Sequence, residues 1–362
     1  MRIAFFGSSL VSSYWNGAAT YYRGLLRALA ERGHAVTFYE PDAFDRQSHR
    51  DIDEPPWARV VLWEPGAPAS LERCLEDARS ADLVAKASGV GVLDAELERR
   101  VLELRRPGRA VVFWDVDAPA TLERLAREAS DPFAALVPRY DLVFTYGGGE
   151  PVVRAYRALG ARACVPVYNA LDPSTHHPAP AQERFRADLA FLGNRLPDRE
   201  ERVRAFFLDA AARLPGGRFL LGGAGWGGLP LPPNVRWVGH VGTEDHNALN
   251  ASARAVLNVN RDSMARFGFS PPTRVFEAAG AGACLVTDAW EGVELFLDPG
   301  REVLVARDGA EVAEHVRALA PARARRIGAA ARRRILAHHT YAHRARQVEA
   351  ALGVRSAVRE LA

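Results

Sequence analysis

The chain has 362 residues, 48% of them hydrophobic and 25% charged, with a formal net charge of +3. That length suits two domains rather than one sheet, and the composition is that of a core-forming globular protein, which excludes an intrinsically disordered chain. No run approaches the ~18 consecutive apolar residues of a membrane span.

Nearly all the positive charge is arginine, Lys86 being the only lysine. No basic stripe interleaved with aromatic residues is present, so nucleic-acid binding is not expected. Cys74, Cys164 and Cys284 are odd in number and far apart. They read as reduced structural thiols in a cytoplasmic protein, not as a disulfide framework or zinc site. The apolar start, residues 1–7, is too short and too soon interrupted for a signal peptide and reads as a buried first strand.

In chain order, residues 2–7 form a predicted strand. Helical spacing follows over 20–32 through Tyr22, Leu25, Leu26 and Leu29, and a strand over 35–39. Further short apolar runs fall at 60–63, 83–87, 110–114 and 142–145, with a helical pattern at 95–105. Residues 172–180, rich in proline and histidine, read as a linker. Strands then resume at 189–192, 218–221, 235–238, 255–259, 284–287 and 303–305, with helices over 199–212, 274–281 and 309–319. Alternating strands and helices predict parallel, doubly wound sheets. Two such sheets in series place a ligand cleft at the carboxyl ends of the strands. The expected division is an N-terminal domain 1–172, a linker 173–186, a second domain 187–340, and a C-terminal helix 341–362 crossing back to the first.

The chemistry is narrowed first by what is missing. Residues 7–13 follow the first strand without G-x-G-x-x-G, which removes the dehydrogenase fingerprint. The glycine run 222–228 has no G-K-[ST] and leads into prolines, so it reads as a flexible loop rather than a phosphate-binding P-loop. The informative segment is 270–288, a loop, a short helix opening near Arg274, and a small-residue crossing into a buried strand. A helix N-terminus offers unpaired N–H groups to a phosphate, and Arg274 adds fixed positive charge. Glu277, in the first turn, reads either as a ligand for a diol beside that phosphate or as an acidic residue that favours the helix dipole.

Residues 256–261, 274–288 and 339–344 resemble the glycosyltransferase family 1-like domain of spore-maturation CgeB-like proteins. Residues 16–20 and 29–36 resemble the glycine turn and helix ending of GT-B enzymes, as do 191–195 and 238–240. The resemblance implies an α/β protein of GT-B fold, two facing Rossmann-like doubly wound parallel-sheet domains, with a nucleotide-diphosphate sugar on the second. It implies donor-binding roles for Gly193, Arg195, Arg199, Gly239, His240, Arg261, Arg274 and Glu277. Glu277 matches the second glutamate of the family's E-x7-E motif, which holds the ribose. The first glutamate falls at Phe269, a departure that leaves the sugar and the stereochemistry open.

Phe113-Trp114-Asp115-Val116-Asp117 ends a strand with a D-x-D. The two carboxylates read as a metal pair, as an acceptor-side general base, or as a turn and helix cap. Asp117 and Asp115 are therefore the candidate catalytic residues, and Asn16, Gly17, Trp114 and Tyr146 the candidate acceptor-side residues. His176 and His177 have no carboxylate at metal-ligand spacing and read as solvent-exposed. The arginine-rich stretch 322–334 reads as a solvated helix face or as a peripheral contact for anionic lipid.

The expected function is sugar transfer from a nucleotide-diphosphate sugar to an unidentified acceptor hydroxyl, needing no metal and no cofactor besides the donor as co-substrate. A sugar-nucleotide 2-epimerase of the same fold and a non-catalytic nucleotide-sugar binder are the alternatives. Sugar, base, acceptor and oligomeric state stay open.

Overall fold

The computed structural model describes residues 1–14, 16–128 and 130–354; the end of the expected C-terminal segment, 355–362, lies outside them. The chain divides into two compact units. One comprises residues 1–169 with the chain from Tyr341 on, and the other residues 170–340.

The first unit is a seven-stranded parallel sheet in the order β3-β2-β1-β4-β5-β6-β7. Its strands are β1 (Arg2–Phe6), β2 (Ala35–Pro41), β3 (Ala58–Trp63), β4 (Leu83–Ala87), β5 (Ala110–Asp115), β6 (Leu142–Thr145) and β7 (Cys164–Pro166). β1, β4, β5 and β6 are almost wholly buried, as continuous apolar strands covered on both faces must be. The ring of Phe5 lies 5.3 to 5.6 Å from those of Tyr22, Phe38 and Trp114, fixing helix Ala19–Glu31 over the sheet centre. The sequence missed β7, whose three residues end in Pro166 and carry no readable period.

Helix Tyr341–Ala351 belongs to this unit and packs on helix Ala19–Glu31. Gly24 permits the contact, because a Cβ there would stand 2.1 Å from a ring carbon of Tyr341. The opposite end is fixed by charge. Glu349, 5% exposed, accepts hydrogen bonds from Arg32 at 2.8 and 2.6 Å and pairs with His34 at 2.9 Å.

The second unit is a six-stranded parallel sheet in the order β10-β9-β8-β11-β12-β13. Its strands are β8 (Leu189–Leu192), β9 (Phe219–Gly222), β10 (Val235–Trp237), β11 (Val256–Asn258), β12 (Leu285–Asp288) and β13 (Leu304–Ala306). The predicted strands fall within a residue or so of these. The predicted helix 199–212 is in fact helix Pro197–Val203, a π turn Arg204–Leu208 and helix Asp209–Arg213. The π turn keeps Phe206, Phe207 and Leu208 buried in the core of this unit.

Two expectations are corrected here. The proline-rich stretch begins inside the second unit rather than between units. Asn247 Nδ2 donates to the Thr175 carbonyl at 2.8 Å, and the His177 N–H donates to Asn247 Oδ1 at 3.2 Å. His176 is accordingly buried, not solvent-exposed. The glycine run is likewise a packed loop. Trp226 is fully buried and donates to the Gly193 carbonyl at 2.8 Å, and a Cβ at Gly223 would stand 2.2 Å from that oxygen.

Replacing Glu349 with Ala strands the buried side of Arg32, and is expected to lower the unfolding free energy by about 3 kcal/mol. The hydrogen bond from Arg32 is the main cause holding this carboxyl below its ordinary value, with that from His34 adding to it. Its stabilisation is therefore full above the unfolded value of about 4.3 and lost as pH falls through the lower folded one. Urea denaturation of both proteins from pH 7 downward measures this; curves that coincide at pH 7 would contradict it.

Candidate functional site

In an open parallel sheet, ligands bind outside the carboxyl ends of the strands where the order reverses. In the second unit that switch point lies between β8 and β11. A cavity of about 200 Å³ opens there. Leu192 and Gly193 from the end of β8 line it, with Asn258 and Val259 from the end of β11, and also Arg199, Arg261 and Pro272 to Arg274.

Buried polar groups fix this edge. Asp288 at the end of β12 is fully buried. It accepts from Arg202 NH2 at 2.6 Å and from the Asn260 N–H at 3.1 Å. Arg202 also donates to the Asn260 carbonyl at 3.0 Å. Asn258 Nδ2 donates to Thr287 Oγ1 at 3.0 Å. Burial raises the Asp288 carboxyl above its ordinary value, although Arg202 pulls the other way.

Helix Thr273–Gly280 points its N-terminus at the cavity. Its N-cap is Pro272, which supplies no side-chain hydrogen bond to the first-turn N–H groups. The Arg274 side chain, 15% exposed, donates through NH2 to the Leu192 carbonyl at 3.1 Å. Its NH1 has no hydrogen-bond partner and lies 3.7 Å from Glu277 Oε2. Burial is the largest influence on Glu277 and pushes its carboxyl up, but Arg274, His176 and His246 outweigh it and hold the group below its ordinary value.

The sequence missed these two histidines. His176 Nε2 lies 4.0 Å from Glu277 Oε1, and the ligand atoms of His176, His246 and Glu277 all lie within 4.8 Å of one another. Burial first, and the Arg274 charge second, lower His246 to about 4. No spacing rule brings positions 176, 246 and 277 together. Only the packing of 172–177 against helix Thr243–Ser252 does so.

The other expected donor residues are arranged more loosely. A Cβ at Gly193 would stand 3.0 Å from Arg199 NH1, so glycine leaves room for that arginine. Arg195 is exposed, pairs with Glu200 at 2.5 Å and does not line the cavity. Gly239 takes φ +72° and accepts from the Gly223 N–H at 2.7 Å, while His240 is exposed. Phe269, at the departed glutamate position, takes φ +46°, strained for a residue with a Cβ.

In the first unit the two aspartates differ. Asp115 is fully buried and accepts from Ser88 Oγ at 2.8 Å, from the Asp117 N–H at 3.0 Å, from Thr121 Oγ1 at 3.1 Å and from Tyr156. It has no route to an acceptor hydroxyl, so the candidate base role is corrected to an anchor for the β5 loop. Asp117 is exposed and starts helix Ala118–Arg127 through its main chain. Trp114 is also corrected, to a core residue whose Nε1 donates to Tyr21 Oη at 3.0 Å. Asn16 is buried and ties the β1 loop, accepting from Ser8 at 2.8 Å and donating to the Ser9 and Ser12 carbonyls. Gly17 is exposed, and Tyr146 is half-buried against Tyr21.

The fold and the switch-point site define an α/β protein of GT-B fold. In structure the chain is similar to Anabaena HepE in complex with UDP and glucose, at a TM-score of 0.70 and 16% identity, over 98% of this chain and 99% of that one. It is similar to sucrose-phosphate synthase from Thermosynechococcus elongatus, at 0.67 and 17%, over 98% of each chain. It is similar to an α-glucosyltransferase in complex with UDP and a 13-mer DNA, at 0.69 and 12%, over 98% of this chain and 99% of that one. Residues 199–350 match the family described as glycosyl transferase-like. No curated protein matches the chain by sequence. Among the described residues, no helix is long and apolar enough to cross a membrane.

The aspartates separate in a direct test. Asp115→Ala leaves several buried donors without an acceptor and is expected to cost about 3 kcal/mol of stability, whereas Asp117→Asn leaves the melting temperature unchanged. Equal melting temperatures for wild type and Asp115→Ala would contradict the anchor role.

Proposed function

We propose that the chain is a glycosyltransferase that takes a sugar from a nucleotide-diphosphate donor bound on its second unit and passes it to an acceptor hydroxyl. One observation carries this reading. The uncapped N-terminus of helix Thr273–Gly280 and the Arg274 guanidinium converge on a switch-point cavity, with the Glu277 carboxylate one turn further along.

That arrangement suits a diphosphate with a ribose beside it. Backbone N–H groups, Arg274, Arg199 and Arg261 surround the phosphates, and Glu277 accepts from the ribose hydroxyls. As the glycosidic bond to phosphate breaks, negative charge grows on the leaving oxygen, and these fixed donors stabilise it without reorganising. The scheme asks nothing of a metal, because arginine and helix N–H groups supply the positive charge. Asp117 is the proposed acceptor-side base, since Asp115 is sealed. Two of the similar structures hold UDP, which makes UDP the first nucleotide to try.

Calorimetric titration of the whole protein with UDP and uridine tests the residue roles. Arg274→Ala is expected to weaken UDP by about 1.5–3 kcal/mol, the range for hydrogen bonds to charged groups, and to leave uridine nearly unchanged. Glu277→Gln is expected to weaken both. Equal losses for UDP and uridine in Arg274→Ala would remove the phosphate assignment. UDP affinity is expected to survive EDTA; its loss on chelation and return with manganese would overturn the metal-free scheme. Incubation with a panel of nucleotide sugars tests the activity, which predicts transfer or slow donor hydrolysis. Interconversion of epimers would contradict it.

A further inference from the structure

We infer that His176, His246 and Glu277 form a binding site for a zinc-class divalent ion. Their three ligand atoms, two imidazole nitrogens and one carboxylate oxygen, lie within 4.8 Å of one another. A zinc ion with bonds of about 2.0–2.1 Å holds its ligand atoms ~3.3 Å apart, so side-chain rotations of roughly an ångström close the set around it.

The surroundings of each imidazole point the same way. His176 Nδ1 is hydrogen-bonded to Thr175 Oγ1 at 3.0 Å, while its Nε2 is buried with no hydrogen-bond partner. His176 thereby shows the pattern of a metal-ligating histidine, one nitrogen anchored and oriented and the other left for an ion. The His246 Nδ1 is likewise buried with no hydrogen-bond partner. Two buried nitrogens without partners are a cost that a bound ion would remove.

The carboxylate is divided in a compatible way. Glu277 Oε2 faces Arg274 at 3.7 Å and Oε1 faces His176 at 4.0 Å, which leaves Oε1 for the ion. Two imidazoles and one carboxylate suit zinc or cobalt with a fourth position open, and are poor ligands for magnesium or calcium, which take oxygen.

This inference does not require the nucleotide reading and meets it only at Glu277. The full-length protein, stripped with a chelator and dialysed, is titrated with cobalt(II) alone and then with zinc. One equivalent of cobalt is expected to bind with the visible absorption of a low-coordinate ion, and zinc to displace it. His176→Ala and His246→Ala are each expected to weaken cobalt at least tenfold, and His177→Ala, an exposed neighbour, to leave it unchanged.

Absence of saturable binding, or the same affinity in His176→Ala, overturns the site. Where a histidine variant does not fold, zinc-edge X-ray absorption of the unmodified protein decides. Scattering from two imidazoles supports the site, and sulfur or all-oxygen coordination overturns it. A protein that binds cobalt but not UDP keeps this site and loses the nucleotide reading, and the converse result reverses that.

Discussion

The buried carboxylate of Asp288 is the constraint on which the second unit's functional edge depends. A charge fully removed from water is costly unless it is paired and hydrogen-bonded. Here Arg202 and the Asn260 N–H meet that demand, and in doing so they join the ends of β11 and β12 to helix Pro197–Val203. The loop 193–196 that enters this helix is held in turn by Trp226 and the packed glycine run. The β8 and β11 ends that line the cavity are therefore tied to neighbouring elements by hydrogen bonds, as a preorganised site requires.

The two units treat the carboxyl ends of their strands differently. In the first, the candidate polar residues are satisfied within the protein, Asp115 by Ser88, Thr121 and Tyr156 and Asn16 by the β1 loop, although Thr145 Oγ1 at the end of β6 is buried without a partner. In the second, several polar atoms are left without protein partners. Arg274 NH1, Asn260 Nδ2, His176 Nε2 and His246 Nδ1 are all buried and lack one. Unsatisfied buried polar atoms are destabilising in a fold and useful in a binding site, where a ligand completes them. Their concentration around helix Thr273–Gly280 is why the ligand-directed chemistry is assigned there.

The alternation of strands and helices was legible because parallel strands buried on both faces are nearly unbroken apolar runs. Arg274 and Glu277 were legible as a helix start beside small residues. Other features depended on tertiary contacts that no local pattern encodes. His176 sits in a stretch whose prolines and serine read as linker, yet Asn247, some seventy positions on, folds it inward. Trp114 and Asp115 close a strand in a motif that reads as chemistry, but both are buried, Trp114 against Tyr21 and Asp115 under the hydroxyls of Ser88, Thr121 and Tyr156. The glycine run looked flexible because the sequence does not show that Trp226 anchors it.

The central claim is that a nucleotide diphosphate occupies the β8–β11 switch point of the second unit. A crystal structure of the full chain grown with UDP tests it most directly. The account predicts the diphosphate at the N-terminus of helix Thr273–Gly280 beside Arg274, with the ribose hydroxyls on Glu277. A nucleotide bound at the strand ends of the first unit, or one whose phosphates lie away from Arg274, would contradict it.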